Sequence, residues 1–339
     1  MYQKQVTDIL NEFEWYGKGY RVNYLNGINT LITERKRIAL QERINFGRQI
    51  SKDRESYRNK YFEMLGWPLN VKKQPIKKII ENIIVETEEY IVSRMQFEIF
   101  NDFLFYGILF RHKTDEKLPM VISQHGAGGT PEMCGSFFDS ENYNDMSLRI
   151  FKRGVNIFAP QLDLWGFPRF GPDNCRRELD NQLKQLGGSV AALEIYCIQS
   201  CLDYFEQTDY CSGSFGMAGL SYGGFYTLYT AAAETRIKAA LACSHFNDRT
   251  KYNMPDKVWF NAANTFLDAQ VAALVCPRYL RIEVGDNDEL FMAESAIKEY
   301  EILKEYYTEV PENLQFNVFK GVHEFCPEDT GIDWLVSKL

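Results

Sequence analysis

The stretch Phe215-Gly216-Met217-Ala218-Gly219-Leu220-Ser221-Tyr222-Gly223-Gly224 decides how this chain folds. Its first half is a short apolar run without helical spacing, read as a buried strand over Ser214–Ala218. Its second half runs into the helix-prone segment Phe225–Glu234. Between them, Ser221 has a glycine two residues before it and another two residues after it. This setting puts a serine in a sharp, strained turn with its hydroxyl raised above a sheet. Glycines at the two flanking positions let strand and helix approach closely. The pattern alone decides little, because composition supplies it in about one chain in ten of this length. A plain glycine-rich turn is the competing reading, and the neighbouring segments must choose.

Upstream, Ser123-Gln124-His125-Gly126-Ala127-Gly128-Gly129 follows the apolar strand Met120–Ser123. An acyl-transfer intermediate develops negative charge on oxygen and needs two backbone N–H groups already aimed at it. Tyr222, next after the serine, is the candidate for one. Ala127, or a glycine beside it, is the candidate for the other. No Lys-Ser/Thr pair follows these glycines, which argues against a phosphate cradle. The histidines are His112, His125, His245 and His323. His112 ends an early strand, and His125 is read as a brace for its own loop. His323 follows the strand Gln315–Phe319 through Lys320-Gly321-Val322 and is the candidate general base, with His245 the alternative. A carboxylate must hold the imidazole in the right tautomer. The strand Tyr279–Val284 ends in Gly285-Asp286-Asn287-Asp288-Glu289, which offers Asp288 first and Asp286 second. The resulting chain order is Ser221, Asp288, His323, each just past a predicted strand.

The rest of the chain fits an α/β architecture. Strands are predicted at Met120–Ser123, Val155–Ala159, Ser214–Ala218, Ala239–Cys243, Tyr279–Val284 and Gln315–Phe319. Helices are predicted at Ser189–Glu206, Phe225–Glu234 and Ala293–Tyr307. Short apolar strands separated by helices indicate a mostly parallel central sheet covered on both faces. Tyr90–Phe100 and Phe103–Arg111, joined at Asn101-Asp102, read as a hairpin. Residues 1–78 read as an N-terminal helical extension, and 79–339 as the catalytic domain. Insertions at about 161–188 and 244–270 leave from the carboxyl edge of the sheet, where ligands bind in such folds. Their aromatics Trp165, Phe167 and Trp259 are the candidate substrate-binding residues, with Phe260 beside them. Arg169 and Arg176 are candidates to grip a carboxylate, but surface placement is the expectation.

Composition narrows the function. A chain of 339 residues that is 45% hydrophobic can bury one large core. The net charge of −8 and the lack of a basic stripe argue against nucleic acid as a partner. No apolar run is long enough for a membrane helix, and no apolar leader follows Met1. A cytoplasmic location is the expectation. The eight cysteines form no C-x-x-C pair and read as small buried hydrophobes. The expected partner is a small-molecule ester substrate, with no membrane and with a homo-oligomeric state left open.

On the elbow around Ser221, the His125–Gly129 loop, Asp288 and His323, the chain resembles the α/β-hydrolase superfamily over roughly residues 85–339. Within it, the chain resembles the acetyl xylan esterase and dienelactone hydrolase-like group. That closer likeness rests on His125-Gly126-Ala127-Gly128-Gly129, Ala159-Pro160-Gln161-Leu162-Asp163-Leu164-Trp165-Gly166-Phe167, Asn181–Leu202, and the lead-in ending Leu65-Gly66-Trp67-Pro68. The resemblance implies hydrolysis of carboxylic esters with no metal or organic cofactor. The Ser-Tyr-Gly-Gly elbow also resembles prolyl-oligopeptidase-type peptidases, so a serine peptidase or amidase is the alternative. A non-catalytic binding protein on the same fold is the reading from another class.

Overall fold

The computed structural model describes residues 2–138, 141–166, 169–173, 175–252 and 254–339. Among the described residues nine strands form one sheet: β1 (Ile79–Glu86), β2 (Tyr90–Phe100), β3 (Phe103–His112), β4 (Leu118–Gln124), β5 (Asn156–Pro160), β6 (Cys211–Leu220), β7 (Ile237–Cys243), β8 (Tyr279–Gly285) and β9 (Leu314–Phe319). Their spatial order is β1-β2-β3-β5-β4-β6-β7-β8-β9. β1, β2, β3 and β5 pair antiparallel in turn, and the run from β5 to β9 is parallel throughout. The chain leaves β4 to one side for β5 and to the other for β6. That reversal falls between β4 and its two neighbours, and the carboxyl ends of strands at such a switch point are the place where open α/β sheets bind ligands.

The helices are α1 (Tyr2–Asn11), α2 (Gly17–Gly47), α3 (Arg54–Leu65), α4 (Pro131–Cys134), α5 (Met146–Phe151), α6 (Arg176–Gln185), α7 (Val190–Phe205), α8 (Tyr222–Ala233), α9 (Asp268–Ala273), α10 (Ala293–Lys304) and α11 (Thr330–Ser337). Successive strand residues point to opposite faces, so the core divides in two. Met217, Ala240 and Ile282 face a layer built with α3, α7, α8 and α9. Ala218, Leu220 and Leu241 face a second layer with α5 and α11. The sheet is therefore covered on both faces, as the alternating pattern requires.

The predicted hairpin is β2–β3, with Asp102 at φ 60° in its turn. β1 is an additional edge strand. It lacks the alternation that would announce a half-buried strand, because nearly all its residues are exposed. In the N-terminal region, α3 sits within the main core: the Tyr61 hydroxyl donates to the Tyr229 carbonyl at 2.9 Å. A buried Arg43–Glu299 ion pair of 2.9 Å ties α2 to α10. Farther out, Phe13, Trp15, Tyr20 and Tyr24 are exposed. Seven cysteines are buried as expected, but Cys175 is exposed just before α6. Among the described residues no helix is long and apolar enough to cross a membrane.

Candidate active site

Ser221 links β6 to α8 with φ 60° and ψ −117°, a conformation L-residues rarely adopt. Its amide donates to the Cys243 carbonyl at 2.9 Å, and its carbonyl caps the next turn through the Phe225 amide at 2.9 Å. The flanking glycines are required by space. A Cβ on Gly219 would lie 2.4 Å from the Gly223 backbone, and one on Gly223 would lie 2.0 Å from the Gln124 carbonyl oxygen. β6, α8 and the end of β4 can converge only because neither position carries a side chain.

The loop after β4 lies directly against this turn: a Cβ on Gly126 would be 3.2 Å from the Ser221 Cβ. Three of its amides are occupied. Gly126 N–H donates to the Tyr143 hydroxyl at 2.8 Å, Gly128 N–H to the Leu164 carbonyl at 2.6 Å, and Gly129 N–H to the Gly126 carbonyl at 3.2 Å. The Ala127 amide, on an exposed residue, has no partner among the described residues, and neither does the Tyr222 amide at the start of α8. His125 is fully buried and braces the loop. Its Nδ1–H donates to the Gly126 carbonyl at 2.9 Å, while Nε2 accepts from the Leu162 amide at 3.1 Å. Burial holds its imidazole down to about 4, so it stays neutral.

His323 and Asp288 meet at the same edge of the sheet. His323 Nδ1 lies 2.9 Å from Asp288 Oδ2. The other oxygen of Asp288 accepts the Leu290 and Phe291 amides at 2.8 and 2.9 Å, which fixes the carboxylate. Asp288 is buried, and the His323 side chain is 18% exposed. The following residue ties this segment to the end of β7, where the Ser244 hydroxyl donates to the Glu324 carbonyl at 3.1 Å. His323 Nε2 and the Ser221 hydroxyl have no partner among the described residues. Asp286 turns elsewhere: Lys320 Nζ is 2.5 Å from its carboxylate, and the Gly321 amide donates to it. The Lys320 hydrogen bond holds its carboxyl below the usual range. His245 is fully buried, with Nε2 accepting from Arg249 at 3.0 Å. Burial pushes its imidazole well down, and the neighbouring Lys257 and Arg249 add to that.

The remaining expected residues divide. Trp165 bridges to Gly128, and its indole N–H donates to the Pro172 carbonyl at 2.7 Å, so it braces the loop after β4 from outside. Trp259 is buried against Phe225 and Tyr229, with ring centroids 6.3 and 5.8 Å away. Phe260 is fully exposed. Phe167 lies outside the described residues.

The model of the X-Pro dipeptidyl-peptidase (S15) family matches residues 191–310, the stretch from α7 to α10. A Bacillus subtilis protein provisionally named hydrolase YtaP is 28% identical over 200 residues, covering 55% of this chain and 66% of its own length. Among solved structures, acetyl xylan esterase 1 from Thermoanaerobacterium superposes with a TM-score of 0.57 at 14% identity, covering 84% of this chain and 93% of that one. A Bacteroides fragilis protein provisionally named an acetyl xylan esterase gives 0.64 at 14%, covering 82% and 76%. A glucuronoyl esterase from Solibacter usitatus gives 0.59 at 10%, covering 85% and 91%. The fold is that of an α/β-hydrolase.

Beside the elbow lies a buried polar cluster that the sequence did not announce. Arg176 is buried, not on the surface as expected, because it is paired with Glu194 at 3.0 Å and Asp256 at 2.8 Å. Asp256 also accepts the Tyr222 hydroxyl at 3.0 Å. The cluster thereby anchors the ring of the residue that follows Ser221. The partners lie far apart in sequence, so local pattern could not reveal them. The signal available was an arginine and two carboxylates within the inserted and helical segments that flank the elbow. Among the described residues, no group of His, Cys, Asp and Glu is arranged to hold a metal ion.

Proposed function

We propose that the protein is a serine hydrolase that cleaves carboxylic esters of small acyl groups, acetyl above all, on sugars or similar alcohols. Ser221 is the nucleophile, His323 the general base and Asp288 the residue that orients it. The Asp288–His323 hydrogen bond, at the sheet edge that carries the strained Ser221 turn, supports this reading most. His323 takes the serine proton as Ser221 attacks the ester carbonyl. The unpaired Ala127 and Tyr222 amides hold the oxyanion. The alcohol leaves with the proton from His323, and water then releases the acid from the acyl-enzyme. The acetyl preference is supported by the acetyl xylan esterases among the solved neighbours.

The match to the X-Pro dipeptidyl-peptidase model favours a second reading, a peptidase acting at the same serine. Hydrolysis rates for p-nitrophenyl esters from acetate to octanoate, set beside a Xaa-Pro p-nitroanilide, separate the two. A rate that falls steeply beyond acetate, with no anilide cleavage, is the expected result. Faster cleavage of the anilide than of the acetate would replace the esterase reading with the peptidase one.

A further inference from the structure

Beneath the second insertion lies a cavity of about 330 Å³, within the range of small-molecule sites. Its lining includes Lys257, Trp259, Arg249, Tyr252, Met254 and the exposed Lys36. Lys257 is only 4% exposed, yet its Nζ has no hydrogen-bond partner among the described residues. The Trp259 indole N–H, 8% exposed as a residue, is likewise unpaired. Both atoms are donors only. The carboxylates nearest in charge to Lys257 are engaged: Asp256 by Arg176 and the Tyr222 hydroxyl, Asp268 by the Asn247 amide and the Tyr229 hydroxyl.

The lysine head sits 3.4 Å from the centroid of the Tyr222 ring. A cation–π contact offers about 0.5–2 kcal/mol, whereas a buried ion without a partner costs several kcal/mol. The aromatic face therefore does not account for the lysine. Burial pushes the amine well below the ordinary lysine range, and the nearby Arg249 adds to that. An occupant with oxygen acceptors and a negative charge would satisfy both donors, and the apolar walls at Met254, Val258 and Leu267 would hold its body.

We propose that this cavity binds a small carboxylate with an apolar body, held by Lys257 and Trp259. The site adjoins the candidate catalytic residues. Lys257 Nζ is 5.8 Å from the Phe291 ring centroid, and that ring is 5.7 Å from the His323 ring. The Phe291 ring thus neighbours both Lys257 of the cavity lining and the proposed base. The carboxylate belongs either to the ester substrate itself or to a free acid; the first source rests on the esterase reading above.

Calorimetric titration of the full chain with benzoate tests the site, with benzamide as the neutral control. Benzoate is expected to bind at least tenfold more tightly than benzamide. Lys257→Met should lower benzoate affinity at least tenfold, and Trp259→Phe, which keeps the aromatic body, should lower it several-fold. The source is read from kcat/KM for 4-acetoxybenzoate relative to its methyl ester. A tenfold preference for the acid that disappears in Lys257→Met assigns the carboxylate to the substrate. Benzoate binding with a ratio near one assigns it to a free acid. No benzoate binding and a ratio near one, in wild-type protein still labelled at serine by a fluorophosphonate, overturns the proposal and leaves the hydrolase reading standing. Benzoate binding without serine labelling does the reverse.

Discussion

Replacing Asp288 by Asn tests the proposed proton path with almost no change of shape. One oxygen of Asp288 accepts two backbone amides, from Leu290 and Phe291, and the other accepts from His323 Nδ1. An asparagine must keep its carbonyl toward the two amides. Turning it over would set its NH₂ against them and lose two hydrogen bonds, each worth about 0.5–1.5 kcal/mol. The NH₂ then faces His323 Nδ1. The imidazole answers by moving its proton to Nε2, the nitrogen that has to accept the serine proton. The same wrong-tautomer change costs roughly 10⁴ in kcat in a well-studied serine protease, or about 5.4 kcal/mol at 1.36 kcal/mol per decade. Steady-state and burst kinetics on p-nitrophenyl acetate measure it, with circular dichroism checking that the fold is kept. Asp286→Asn, which removes a contact with exposed Lys320, should change kcat less than threefold. An Asp288→Asn enzyme within tenfold of wild type would refute the reasoning, as would a larger loss from Asp286→Asn.

Other perturbations follow from the same geometry. Tyr143→Phe removes the hydroxyl that holds the Gly126 amide; kcat on p-nitrophenyl acetate should fall about five- to thirtyfold, matching 1–2 kcal/mol for a lost partner. Arg43→Ala strands Glu299 in the interior and should destabilise the protein by about 3–5 kcal/mol in urea unfolding. His125 has its folded pKa held near 4, below the 6.5 it starts from. The unfolded chain therefore binds the extra proton first. The stability this histidine contributes is whole above pH 6.5 and is lost as pH falls toward 4, by about 3 kcal/mol. Urea unfolding across that range should show a shallower pH slope in His125→Gln than in wild type.

Much of the sheet could be read from sequence because short apolar strands lay between helical runs. The elbow was legible for a related reason: a strand, a turn that needs two glycines, and a helix follow one another within a few residues. The pairing of His323 with Asp288 rather than Asp286 was less open to view. Both aspartates follow the same strand, and only the turn that gives Asp288 the Leu290 and Phe291 amides separates them. β1 stayed hidden because its residues are exposed on an edge and carry no alternation. The Arg176–Glu194–Asp256 cluster and the unpaired Lys257 depend on contacts between α6, α7 and the second insertion, which no local period encodes. Trp259 reads as a substrate contact from its chemistry and its place in an insertion, and its ring partners Phe225 and Tyr229 come from α8.

The central claim is that Ser221 is an activated nucleophile, and covalent labelling tests it most directly. Protein treated with a fluorophosphonate and digested for peptide mass spectrometry should carry one adduct, on Ser221. The Ser221→Ala protein should carry none and should not hydrolyse p-nitrophenyl acetate. An unlabelled Ser221 in folded wild-type protein, or full ester hydrolysis by the alanine variant, would contradict the account.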